Sequence, residues 1–168
     1  MRTRGVVVAL AVVLATLSQP WAEAASPKSG TLLRTRTWVT WSGGPFVLSE
    51  PNYVNATCLG GAQDPVCDHY ALKINLGEAA RIQVSVTTSA ANPNDGIQPL
   101  DGNDYDLYVY SPEGALVAYA ANTQGNEKLI FQYRSRFRGR PYEIRVHPWF
   151  VRPGSSYKGL AQAMTLGY

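Results

Sequence analysis

Apolar and polar side chains alternate with a period of two along most of the chain. "TRTWVTWS" sets Thr37, Val39 and Trp41 against Arg36, Trp38 and Thr40, so only one of the two tryptophans can easily be buried. "DHYALKINL" places Tyr70, Leu72, Ile74 and Leu76 on one face, and "RIQVSVTTS" does the same with Ile82, Val84 and Val86. "DLYVYS" turns Leu107 and Val109 inward; "ALVAYA", "KLIFQYR" with Leu129, Phe131 and Tyr133, "PYEIRVHP" with Tyr142, Ile144 and Val146, and "YKGLAQAMT" follow. The pattern predicts about eight strands in an all-β chain. An apolar face backed by a polar or small one suits antiparallel sheets with one wet side. Ser111-Pro112-Glu113-Gly114 is a strong hairpin turn, with proline at the second position and a glycine free to take a positive φ. No segment sustains a helical period. The expected architecture is an antiparallel β-sandwich of jelly-roll type.

The amino-terminal segment breaks this pattern. Basic Met1–Arg4 leads into the thirteen-residue apolar run "GVVVALAVVLATL", too short to span a bilayer comfortably, and Ala22-Glu23-Ala24 has the small-x-small form of a leader-peptidase site. Residues 1–24 therefore read as a removable secretory signal, with no lipobox cysteine after it. Residues 25–50 carry the first strand and join 51–168 in one domain. That leaves about 144 residues, enough to bury roughly 68 % of the unfolded surface. Without Arg2, Arg4 and Glu23 the 15 basic and 12 acidic side chains become 13 and 11, a net charge of +2. So small a charge gives no case for nucleic acid as a partner, and after signal removal nothing ties the chain to a membrane. The fifteen glycines and eleven prolines agree with a turn-rich β protein.

Cys58 and Cys67, the two cysteines, flank a loop of Gly, Asp and Pro in "CLGGAQDPVC". In an exported chain they are expected to form a disulfide worth roughly 2.5–3 kcal/mol on the chain-entropy estimate. A metal or redox pair would want C-x-x-C spacing, which is missing. Asn55-Ala56-Thr57 fits a glycosylation sequon.

The order "CDHYALKINLGEAARIQVSVT", "NDYDLYVYSPEGALVAYA", "YEIRVHPWFVRPGSSYKGLAQ" resembles the bacterial pre-peptidase C-terminal domain. The likeness runs from about Cys67 to Ala163, and its most specific piece is the Asp-x-Asp-Leu-Tyr-x-Tyr-x-Pro-x-Gly core from Asp104 to Gly114. It implies a β-sandwich that accompanies secreted peptidases and other extracellular enzymes without catalytic power of its own. It further implies calcium binding in some relatives and matrix or polysaccharide binding in a few. This chain departs from the pattern in having no peptidase domain.

Candidate chemistry centres on "DGNDYDLYVYSPEG". In a strand, Asp104, Asp106, Tyr108 and Tyr110 share the face opposite Leu107 and Val109, and the α-carbons of the two aspartates lie roughly 6.6 Å apart. Both carboxylates could then reach one cation, with Asp101 and Asn103 joining from the preceding loop. All-oxygen donors favour calcium over zinc or copper. The same residues equally read as a solvated strand entry that hydrogen-bonds its own turn. A glycosidase pair needs separations of roughly 5–9.5 Å, which any Asp-x-Asp meets. Nothing in the sequence marks one of the two for a raised pKa, as acid–base catalysis demands. Gly-x-Ser-x-Gly, His-Glu-x-x-His and phosphate-loop motifs are missing, and His69 and His147 read as structural or surface histidines.

Two further features suggest binding. "YRSRFRGRP" sets Arg134, Arg136, Arg138 and Arg140 at alternate positions, which in a continued strand would line one face for sulfate, phosphate or carboxylate groups, or else protect an edge from aggregation. Tyr108, Tyr110 and Tyr119 would project from the outer face of the central hairpin, as a sugar-stacking platform or as cross-strand packing. The expectation is a secreted, non-catalytic binding or accessory module, stiffened by calcium, whose partner is an extracellular protein or polysaccharide. A small extracellular hydrolase using Asp104 and Asp106, or a purely structural or inhibitor-like exported protein, are the alternatives.

Overall fold

The computed structural model describes residues 25–46, 58, 67–88, 103–122, 126–151 and 154–164. The leader segment, the sequon at Asn55 and the metal-ligand candidate Asp101 lie outside them. The described residues form nine strands: β1 (Ser29–Leu33), β2 (Trp38–Gly43), β3 (Asp68–Asn75), β4 (Ala80–Thr88), β5 (Asp104–Tyr110), β6 (Leu116–Ala120), β7 (Glu127–Tyr133), β8 (Pro141–Phe150) and β9 (Tyr157–Met164). One sheet runs β1-β3-β8-β5-β6 and the other β2-β9-β4-β7. Leaving β1 aside, 3-8-5-6 facing 2-9-4-7 is the strand order of a jelly roll, two interlocked Greek keys.

The period of two places the core as expected. Leu72, Ile74, Ile82, Val84, Val86, Leu107, Val109 and Ile144 are fully buried between the sheets, each contributing roughly 1.5–3 kcal/mol of burial. In β2, Trp41 is 3 % exposed and stacks on Tyr70 at 4.1 Å, whereas Trp38 is 56 % exposed. Gly114 (φ +81°) closes the β5–β6 hairpin by donating its N–H to the Ser111 carbonyl at 2.8 Å. β1 is the additional strand, and among the described strand pairings it alone departs from the antiparallel pattern: it pairs parallel with β3, Ser29 opposite Ala71 through Leu33 opposite Asn75.

The wet outer face is also corrected. On the five-stranded sheet, Asp106, Tyr108, Tyr110, Arg145 and His147 are all buried on the side away from the sandwich core. Cys58 and Cys67 are disulfide-bonded, with α-carbons 5.9 Å apart, and pack with Tyr108 and Tyr110 in a second small cluster. The bridge thus covers part of a face that alternation alone assigns to solvent.

Candidate functional site

β5 carries the site. Its outward row of Asp104, Asp106, Tyr108 and Tyr110 lies beside β8, where Asp106 pairs with His147, Tyr108 with Arg145 and Tyr110 with Glu143. The register shifts between Asp104 and Tyr105, which face Phe150 and Pro148, so β8 carries Trp149 as an extra residue there. Such a bulge twists a strand end and re-aims its side chains. Asn103, just before it, is buried.

Asp104 is half-buried, and its Oδ1 has no hydrogen-bond partner among the described residues. Burial, and then the negative charge of Asp106, push its carboxyl up to about 6 against a partial offset from His147. Asp106 accepts a hydrogen bond from the Tyr108 hydroxyl at 3.3 Å and lies 3.6 Å from Nδ1 of His147. Both ring nitrogens of the buried His147 lack a hydrogen-bond partner among the described residues.

Glu127, at the start of β7, is a member of this acidic group that sequence reading passed over. It is buried and accepts hydrogen bonds from the Asn122 backbone N–H at 3.0 Å and from Asn122 Nδ2 at 2.8 Å. Burial raises its carboxyl; Asn122 opposes this, and the charges of Asp106 and Asp104 add to it. The signal was present: Glu127 is in phase with Leu129, Phe131 and Tyr133, an acid on a core-facing row. Among the described residues, no group of three or more His, Cys, Asp and Glu side chains is arranged to hold a metal ion. Asp104 nevertheless carries a raised carboxyl that no sequence motif announced, displaced well above the usual carboxylate range.

Further along the same face the charges are matched. Glu143 accepts from Arg145 at 2.8 Å and lies 2.6 Å from Nδ1 of His69. Burial alone would raise its carboxyl, but Arg145 and His69 outweigh this and hold it below its ordinary value. The Arg145 guanidinium also donates to the Cys58 carbonyl and sits 4.0 Å over the Tyr110 ring.

The two other sequence features change form. β7 ends at Tyr133, and a 3₁₀ turn at Ser135–Phe137 buries Phe137 and breaks the alternation. Arg134, Arg136, Arg138 and Arg140 are exposed but do not line a strand face. Arg136 and Arg140 instead lie 4.6 and 5.6 Å over the Phe137 ring, and Arg136 pairs with Glu113 at 3.6 Å. The tyrosine platform is also lost: Tyr119 is 65 % exposed, but Tyr108 and Tyr110 are buried and pack with Cys58 and Cys67.

Fold and site together define an all-β jelly-roll sandwich with an acidic strand mouth at the edge of a disulfide-covered face. Among solved structures, the chain is similar to the pre-peptidase C-terminal domain of collagenase from Bacillus anthracis, at 15 % identity and a TM-score of 0.42, with 80 % of this chain and 93 % of that chain covered. It is a likeness of fold. No family model and no curated protein matches the chain.

Proposed function

We propose that this chain is a non-catalytic module that works outside the cell and binds an extracellular protein or polysaccharide, with calcium held at its acidic mouth. The observation that carries the reading is Asp104: a half-buried carboxylate whose Oδ1 has no partner among the described residues, kept at a raised pKa by burial and by Asp106. Asn103, Asp104 and Asp106 offer hard oxygen donors without a thiolate, which suits calcium rather than zinc. The described residues supply only part of a calcium shell, and Asp101 is the further donor in the reading. The Cys58–Cys67 disulfide supports an oxidising compartment.

Calcium titration followed by thermal melting tests the proposal. A cation that binds only the native state stabilises it by about 2.7 kcal/mol at a hundredfold excess over Kd. The melting temperature should rise with calcium in the wild type and stay flat in Asp104→Asn. No rise, or an equal rise in the variant, overturns it.

The raised carboxyl of Asp104 also favours a second reading, a hydrolase in which Asp104 is the acid and Asp106 the second carboxyl of the pair. Turnover on polysaccharide or peptide panels that is lost in Asp106→Ala would establish that reading in place of the first.

A further inference from the structure

Asp68 is a buried carboxylate on the core side of β3, at the opposite face of the sheet from the acidic mouth. It is 3 % exposed and accepts hydrogen bonds from the Tyr157 hydroxyl and from the backbone nitrogen of Ala25, itself 1 % exposed. Both donors are neutral in the uncut chain. Burial drives the Asp68 carboxyl upward against those bonds, a further bond from the His69 backbone N–H and the His69 charge, and among the described residues no Lys or Arg forms an ion pair with it. His69, next in the chain, has its Nδ1 committed to Glu143.

The pocket is built into β2. Ser26 exchanges two backbone hydrogen bonds with Ser42, at 2.8 and 3.0 Å, which fixes where the Ala25 nitrogen arrives. The next residue, Gly43, has no side chain, and a Cβ there would lie 2.1 Å from Asp68 Oδ2 and 2.3 Å from the Tyr157 ring. The Ala22-Glu23-Ala24 pattern puts a leader-peptidase cut directly before Ala25.

We propose that Asp68 is the receptor for the processed amino terminus: cleavage between Ala24 and Ala25 creates an α-ammonium that folds into this pocket as the counter-ion of the buried carboxylate. This rests on the export reading. Leader peptidase adds water across the Ala24–Ala25 bond; Ala24 leaves as a carboxylate and the freed nitrogen takes up a proton. The cut precedes folding, while residue 25 is accessible. The neutral donor then becomes a charged one at the same atom, and a buried carboxylate gains the partner it needs.

The test uses the exported protein. Mass spectrometry should find Ala25 as its first residue. An amine-acylating reagent should modify that α-amine at least roughly tenfold more slowly in the native protein than in denaturant, with reactivity restored in Asp68→Asn. One glycine inserted between Ala24 and Ala25 moves the charge out of the pocket and should lower the melting temperature by roughly 10 °C. In an Asp68→Asn background the insertion should cost little more. A native amine as reactive as the unfolded one, a different first residue, or an insertion without effect overturns the inference. A protein that keeps residues 1–24 sinks the export reading itself.

Discussion

Replacing Asp104 by asparagine should make the calcium-free protein more stable at neutral pH while removing a carboxyl group. The folded Asp104 carboxyl sits at about 6 against an ordinary 3.8. Between those values the folded chain holds a proton that the unfolded chain has released, so stability falls as pH rises through the window and stays lower above it. A displacement of roughly two units corresponds to about 3 kcal/mol at most. Solvent reaching the half-buried carboxylate reduces this to roughly 1–2 kcal/mol. In a domain of this size that is a melting shift of about 3–6 °C. Asp68 and Glu127 are displaced in the same direction and Glu143 in the other, so a single melting curve against pH mixes several groups. The difference between wild type and Asp104→Asn, by calorimetry in chelator from pH 4 to 8, isolates this one. The two should lie close together at pH 4, separate between pH 4 and 6, and keep a constant gap above 6, with the variant higher. A gap that does not change between pH 4 and 6, or a variant that melts lower at pH 8, would refute the reasoning.

Three other perturbations probe the frame around the site. Arg145→Met should cost about 3 kcal/mol in denaturant unfolding, near the low end for a broken buried pair because Glu143 keeps His69, and Glu143→Gln in the same chain should recover part of it. Reducing the Cys58–Cys67 bond, nine positions apart, should lower the melting temperature by about 10 °C on the chain-entropy estimate; identical melts with and without reductant would contradict that. Trp41→Ala should cost about 3–5 kcal/mol and Trp38→Ala under about 0.5. Equal costs would mean that β2 is slipped by one residue.

The strand pattern was legible because a half-buried sheet writes its core onto alternate residues, most clearly in β2, β3, β4 and β7. β1 lacks that mark. "SGTLL" is short and includes Gly30, which reads as a weak strand position, yet a Cβ there would lie 2.0 Å from the Tyr70 hydroxyl. Its partner, β3, lies some forty residues further on, and nothing local announces a parallel pairing. The arginine row failed for a related reason. Alternation in "YRSRFRGR" looks like a strand, but burial of Phe137 against Tyr142 at 5.9 Å pulls the chain into a turn.

Asp104 and Asp106 were visible as neighbours on one strand face, but Glu127 and the electrostatics of the group were not, because they depend on what covers the sheet and what packs beside it. Leu107-Tyr108-Val109-Tyr110 is apolar or aromatic at every position, the mark of a strand buried on both faces, and the Cys58–Cys67 bridge packs on the second face. Under that cover each charge needs a partner, and Arg145 is committed to Glu143, the Cys58 carbonyl and the Tyr110 ring. Asp106 lies two residues nearer the strand entry, opposite His147 at 3.6 Å, a partner charged only when protonated. Asp104 lies at the entry itself, beside the bulge. Charge matching thus weakens step by step from Glu143 to Asp104, while burial persists. A carboxylate in that position either keeps its proton or recruits a cation from solution, and the pH and calcium responses of Asp104 decide between the two.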